Sequence, residues 1–174
     1  MSRLRGRVVP QPSPSTLIVD VSDRQKMMRV STRGLERLVC RALAAEGVEE
    51  AEISVVLVDD RRIAAVHRRW LGKPGPTDVI TFDLAAGTAG PPRARVLTGD
   101  IVVSTETARR MARAVGWTPR QELVYYIVHG LLHLTGYDDH TPADCRQMRA
   151  RERAVMKACG LPVPPRTRAA GNGP

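Results

Sequence analysis

Val124 to His140 reads VYYIVHGLLHLTGYDDH. Its apolar residues go nearly all round a helix and carry two histidines, His129 and His133, followed by Gly136 and then by Asp138, Asp139 and His140. At i and i+4 the two imidazoles share a face, with Cβ atoms roughly 5–6 Å apart, and neutral imidazole is a favoured zinc ligand. Gly136 can take the left-handed conformation that ends a helix, so the chain can double back and offer a third ligand from the polar residues beyond. A metal site open on one side is the natural reading. It places a central helix, packed on more than one side, at the middle of the fold.

That helix has its own start signal. Thr118, Pro119 and Gln121 form a capping-box pattern with proline at the first helical position. Thr141, Pro142 and Asp144 repeat it, predicting a last helix to about Gly160 with Cys145, Met148, Val155 and Met156 inward and Arg146, Arg149, Arg151 and Arg153 largely outward. Upstream, Ser104 or Thr105 caps a helix ended by Gly116, with Ala108, Met111, Ala112 and Val115 inward. A helix from Ser31 or Thr32 runs to a cap at Gly47, and Asp59 or Asp60 opens another with Ile63, Val66, His67 and Trp70 on one stripe.

Four strands complete the pattern: 16–21, 53–58, 79–84 and 96–103. The last two flank the turn-rich segment 85–95 and suggest an antiparallel pair. The loop GKPGPTD, Gly72 to Asp78, leads straight into the third strand. Asp78 and Asp100 read as turn and cap chemistry, with a site wall near the metal as the other reading; His67 reads as a half-buried helix residue.

With 174 residues the chain is long enough for one domain with an adequate core. Residues 1–15 are expected to be a disordered basic arm, 16–160 a single catalytic domain and 161–174 a flexible Pro/Gly/Arg tail. Cys40, Cys145 and Cys159 are odd in number and widely spaced, which indicates neither a disulfide framework nor a thiolate zinc site. With no run of about 18 apolar residues, the expectation is a soluble cytoplasmic protein. The net charge of +9, from 27 basic and 18 acidic residues, favours polyanions. Of the basic residues 24 are arginine, whose fork suits phosphate, although a high-GC genome also produces that bias. Six aromatics give no visible stacking platform, so any RNA contact is expected to be mainly through phosphate.

Two histidines on an apolar helix can be hydrogen-bonded core residues; the donor cluster six or seven residues later favours ligation. Zinc proteases carry H-E-x-x-H, with the glutamate as general base, whereas Gly130 follows the first histidine here. Proteolysis is therefore disfavoured. A metal with three protein ligands and one water still supports hydrolysis, and on a basic protein the expected electrophile is a phosphodiester.

HGLLHLTGYDDH, together with PTDVITF at 76–82 and GDIVVS at 99–104, resembles the YbeY family of bacterial metal-dependent single-strand endoribonucleases, implicated in ribosomal RNA maturation and ribosome quality control. The resemblance covers roughly residues 53–160. It implies an α+β fold, here a small mixed four-stranded sheet packed by about five helices, with one zinc ion bound by three histidines as H-x-x-x-H-x-x-x-x-x-H. This chain departs from that pattern: the sixth residue after His133 is Asp139, and His140 comes one position late. Asp139 or His140 completes the set with His129 and His133; a carboxylate there makes a bound water less acidic than three imidazoles would. The family often carries an arginine at the position of Leu71, and Arg68, Arg69 and Lys73 are the nearest candidates to contact RNA in its place. The expected function is a metal-dependent endoribonuclease acting with ribosomal RNA, the ribosome or its assembly factors, with no DNA or membrane partner. The alternative is a non-catalytic rRNA-binding assembly factor with a structural metal.

Overall fold

The computed structural model describes residues 16–85 and 96–163. The arm expected over 1–15, most of the turn segment 85–95 and the tail from 164 lie outside the described residues. The elements, in order, are β1 (Thr16–Asp23), α1 (Thr32–Ala45), β2 (Glu50–Val58), α2 (Asp60–Leu71), β3 (Val79–Asp83), β4 (Leu97–Ser104), α3 (Thr105–Val115), α4 (Pro119–Leu134) and α5 (Pro142–Ala158). This is the expected α+β class. The sheet runs β1-β2-β4-β3, with β1, β2 and β4 parallel and β3 antiparallel to β4, where Val79 faces Val103 and Asp83 faces Gly99.

Side-chain alternation divides the sheet into two unequal faces. Ile53, Val55 and Leu57 of β2, Ile101 and Val103 of β4, and Val79 of β3 join the main core with α1, α4 and α5. The opposite face buries a smaller cluster, Val58 and Ile80 against Ile63 of α2. β2 and β4 are apolar on both faces because both are covered. On the edge strand β1 the outer face is open and Ile18 is exposed.

The helices begin where the cap residues lie. Ser31, Asp59, Ser104, Thr118 and Thr141 each accept a hydrogen bond from the backbone N–H three residues on, and the capping boxes of α4 and α5 are complete. Asp60 and Thr105, the alternative caps, serve elsewhere. Asp60 gathers the Ser104 hydroxyl, the Thr107 hydroxyl at 2.7 Å and the Arg110 guanidinium at 2.9 Å, tying α2 to the end of β4 and the start of α3. Thr105 donates to the Val58 carbonyl at 3.1 Å.

Three inward assignments need correction. Trp70 is 63% exposed and only meets Phe82 edge-on, because α2 covers a narrow apolar strip and its last turn runs past it. Met111 is 41% exposed on the solvent side of α3. Cys145 is half-buried, its thiol engaged with the Asp139 carbonyl rather than with the core. Of the expected tail, Leu161 packs against the main core.

Helix α4 lies unusually close to the sheet. A Cβ on Gly130 would stand 3.0 Å from the Thr81 methyl and 3.1 Å from those of Ile101 and Val79; on Gly99 it would stand 2.9 Å from the Phe82 carbonyl and 2.8 Å from Leu134. Glycine at 130 and 99 lets helix and strands approach. Completing H-E-x-x-H with Gly130→Glu would push a charged side chain into this contact. It is expected to lower unfolding stability by more than about 3 kcal/mol in urea titrations; wild-type stability would refute the close-contact account.

The Asp60 carboxyl titrates below its ordinary 3.8: burial alone would raise it, but hydrogen bonds from Ser104, Arg110 and Thr107 and the Arg110 charge outweigh that. A depressed carboxyl contributes its full stability above the unfolded pKa and loses it as pH falls through the folded value. Asp60→Asn should therefore be less stable at neutral pH. Its unfolding midpoint should also fall less than the wild type's between about pH 5 and pH 2.

Candidate metal centre

Gly130 faces the sheet, so His129 and His133 emerge on another side of α4, at the junction with α5. The helix ends in a Schellman turn: Tyr137 N–H bonds the Leu132 carbonyl at 3.0 Å, Gly136 N–H bonds the His133 carbonyl at 3.0 Å, and Gly136 has φ of +102°. The reversal points the Tyr137 carbonyl back at His133, whose Nδ1 donates to it at 3.1 Å. The chain then brings Asp139 over the histidines, its own carbonyl held by the Cys145 thiol at 2.9 Å.

His129 Nδ1 bonds the carboxylate of Glu152 at 2.7 Å, and Glu152 on α5 is 2% exposed. With both Nδ1 atoms engaged as donors, both Nε2 atoms turn toward one point, 3.1 Å from each other. The Asp139 carboxylate lies 3.8 Å from His129 Nε2 and 3.9 Å from His133 Nε2. Two nitrogens at about 2.0–2.1 Å from one zinc in tetrahedral geometry stand about 3.3 Å apart. The arrangement therefore fits a small dication. Hydrogen-bonded acceptors behind metal-binding imidazoles fix the tautomer and raise ligand basicity.

Electrostatics agree. Burial disfavours a charged His129, yet the hydrogen bond and charge of Glu152, aided by Asp78 and Asp139, more than offset it and raise its pKa above 6.5. His133 is lowered, by burial first and then by the charge on His129. With both Nδ1 atoms engaged as donors, two Nε2 lone pairs 3.1 Å apart call for a positive centre between them, proton or metal.

His129, His133 and Asp139 form a group able to hold a metal ion. His140 does not join it; it is 65% exposed and pairs with Asp138 at 3.5 Å. Asp138, Asp139 and His140 make a second grouping that shares Asp139 but is exposed at its ends. Arg68, Arg69 and Lys73 are exposed at the end of α2 and in the loop after it, on the helix that covers the other face of the sheet, with Arg69 over the Trp70 ring at 5.5 Å. Leu71 is exposed beside them. Asp78 caps β3, accepting from Val79 N–H at 2.9 Å and the Thr77 hydroxyl at 3.0 Å, while its charge reaches His129. His67 is buried rather than half-buried, and its Nδ1 donates to the Gly75 carbonyl at 3.0 Å, holding the loop that delivers Asp78.

Sequence reading missed Glu152. The available signal was an acid on the inward stripe Met148, Glu152, Val155 and Met156 of an otherwise amphipathic helix. It also missed the gathering of Trp117, Tyr125 and Tyr126 beside His129, with successive ring centroids 6.1 to 6.3 Å apart. Placement, not the number of aromatics, makes that cluster.

Fold and cluster together define an α+β protein in which two histidines of a buried central helix and a carboxylate from the turn after it form a group able to hold a metal ion. The chain belongs to the YbeY family: the family model described as Endoribonuclease YbeY matches residues 20–160. It is 43% identical over 145 residues to Endoribonuclease YbeY of Anaeromyxobacter sp. (strain Fw109-5), covering 83% of this chain and 73% of that one. It is 38% identical over 140 residues to Endoribonuclease YbeY of Geobacter sulfurreducens, covering 79% and 93%. The solution structure of TM1509 from Thermotoga maritima superposes with a TM-score of 0.56 at 22% identity, covering 83% of this chain and 90% of that one, a likeness of fold.

Metal affinity should grade with this geometry. In competition titrations with zinc, Asp139→Ala is expected to lose at least tenfold in affinity and His140→Ala less than threefold. Glu152→Ala should lose about 10–100-fold without touching a ligand. Equal losses for Asp139→Ala and His140→Ala would overturn the assignment.

Proposed function

We propose that this chain is a metal-dependent endoribonuclease acting on single-stranded RNA, with ribosomal RNA as its substrate in the cytoplasm and with roles in rRNA maturation and ribosome quality control. The observation that carries the reading is the convergence of His129, His133 and Asp139, each imidazole already locked in the ligating tautomer. Zinc suits this nitrogen and carboxylate donor set. Asp139, half-buried over the histidines, is the third ligand, in preference to exposed His140.

A cation held there supplies Lewis acidity toward a phosphoryl oxygen or a water. The chain's own residues do the rest. Glu152 keeps His129 oriented, the Tyr137 carbonyl keeps His133 oriented, and Gly130 denies the site the glutamate base of a zinc protease. Arg68, Arg69 and Lys73, exposed at the end of the helix that covers the other face of the sheet and in the loop after it, are the basic residues assigned to phosphates of flanking RNA, which set its position rather than its sequence. No helix among the described residues is long and apolar enough to cross a membrane.

A non-catalytic assembly factor with a structural metal would use the same basic surface. Structural zinc sites are closed by four protein ligands, whereas catalytic sites keep three and leave a place for water or substrate. The three-donor group favours catalysis. Incubating zinc-loaded protein with single-stranded ribosomal RNA should give discrete cuts that chelator abolishes and that fall at least 100-fold in His129→Ala and His133→Ala. Cutting that survives both substitutions would end the mechanism; tight binding without any cutting would favour the assembly factor.

A further inference from the structure

From Gln121 to Leu134 every residue of α4 is buried except Gln121, Tyr125, His129 and His133. The four are spaced by four, so they form one stripe along the helix, and its lower half is the metal-binding pair. The Tyr125 ring stands one turn from His129, its centroid 6.3 Å away and its plane within 30° of the imidazole plane. Half-buried Trp117 meets Tyr125 edge-on at 6.1 Å and 79°, and buried Tyr126 backs it at 6.1 Å. Tyr125 is thus a braced aromatic surface continuous with the metal group.

The two ends of the stripe differ in charge. Beyond His133 the chain presents exposed Asp138, which repels a polyanion. Toward Tyr125 the stripe runs to the N-terminal, positive end of α4, where Arg120 is exposed. A strand with one phosphate at the metal group therefore continues toward Tyr125. Single-stranded bases seek π-surfaces when unstacked.

We propose that Tyr125, bordered by Trp117, is a nucleobase-stacking subsite for the nucleotide adjoining the phosphate held at His129, His133 and Asp139. This deepens the endoribonuclease reading and rests on it. It makes single-strandedness a requirement of the site, since a base paired in a duplex has no free face to offer. It also makes recognition tolerant of sequence, since every base has such a face.

The test uses the zinc-loaded full chain and two fluorescein-labelled probes of equal length, a 2′-O-methyl oligoadenylate and an abasic sugar-phosphate strand, read by fluorescence anisotropy, with gel electrophoresis after the titration to establish that each probe is intact. Wild type should bind the oligoadenylate about fivefold or more tightly than the abasic strand. Tyr125→Leu, which keeps the apolar bulk, should lose most of that difference while its affinity for the abasic strand and its zinc content stay unchanged; Tyr125→Phe should restore it. Independently of any change at Tyr125, oligoadenylate but not the abasic strand should quench Trp117 fluorescence in a Trp70→Phe background. Wild type that cuts RNA yet binds both probes equally would overturn the stacking subsite alone. Equal loss on both probes in Tyr125→Leu would also overturn it, assigning Tyr125 to the fold. Wild type that binds neither probe and cuts no RNA would overturn the endoribonuclease reading with it.

Discussion

Helix α4 is pressed so closely against β3 and β4 that even a Cβ at position 130 would crowd the methyls of Thr81, Ile101 and Val79 at 3.0–3.1 Å. That constraint sets the rest. It turns the two histidines away from the sheet toward α5, removes the position from which a zinc protease draws its base, and makes glycine necessary on the strand side as well, at Gly99. A helix with one apolar stripe could tolerate looser seating. One that is apolar nearly all round cannot, because unfilled contact on any side leaves core surface without partners.

Within that frame the orientation of His129 depends on a carboxylate behind it. Glu152 is buried, and an unpaired carboxylate there would be costly; its partner is the ring nitrogen of His129 that faces away from the ligand point. The same α5 anchors Asp139 through the Cys145 thiol. One helix therefore orients a histidine from behind and holds the opposing acid in front. Tyr137, placed by the turn at Gly136, does for His133 with a backbone carbonyl what Glu152 does for His129 with a side chain.

What was legible in the sequence was local. Thr118, Pro119 and Gln121 announce the start of α4, Gly136 announces its end, and the i, i+4 histidines declare a shared face, because each signal is settled within a turn or two of chain. The register of Asp139 with the family's third ligand was legible by counting; that His140 turns outward was not, since it depends on how the turn meets α5. Glu152 looked like any charged helix residue because its partner lies 23 residues away. Trp70 and Met111 sat on convincing apolar stripes, yet a stripe does not reveal how far the opposing surface extends. The aromatic run beside His129 was hidden by a count of six, which says nothing of where they meet.

The span between His129 and Glu152 has a consequence in time. During synthesis the paired histidines emerge first, Asp139 follows, and the acid that fixes the first imidazole arrives 23 residues after it, about one to five seconds later at ordinary elongation rates. A partly made chain therefore carries two imidazoles with neither carboxylate in place. The arrangement around the two imidazoles is therefore complete only when the last helix docks, bringing Glu152 behind His129 and Cys145 against the Asp139 carbonyl.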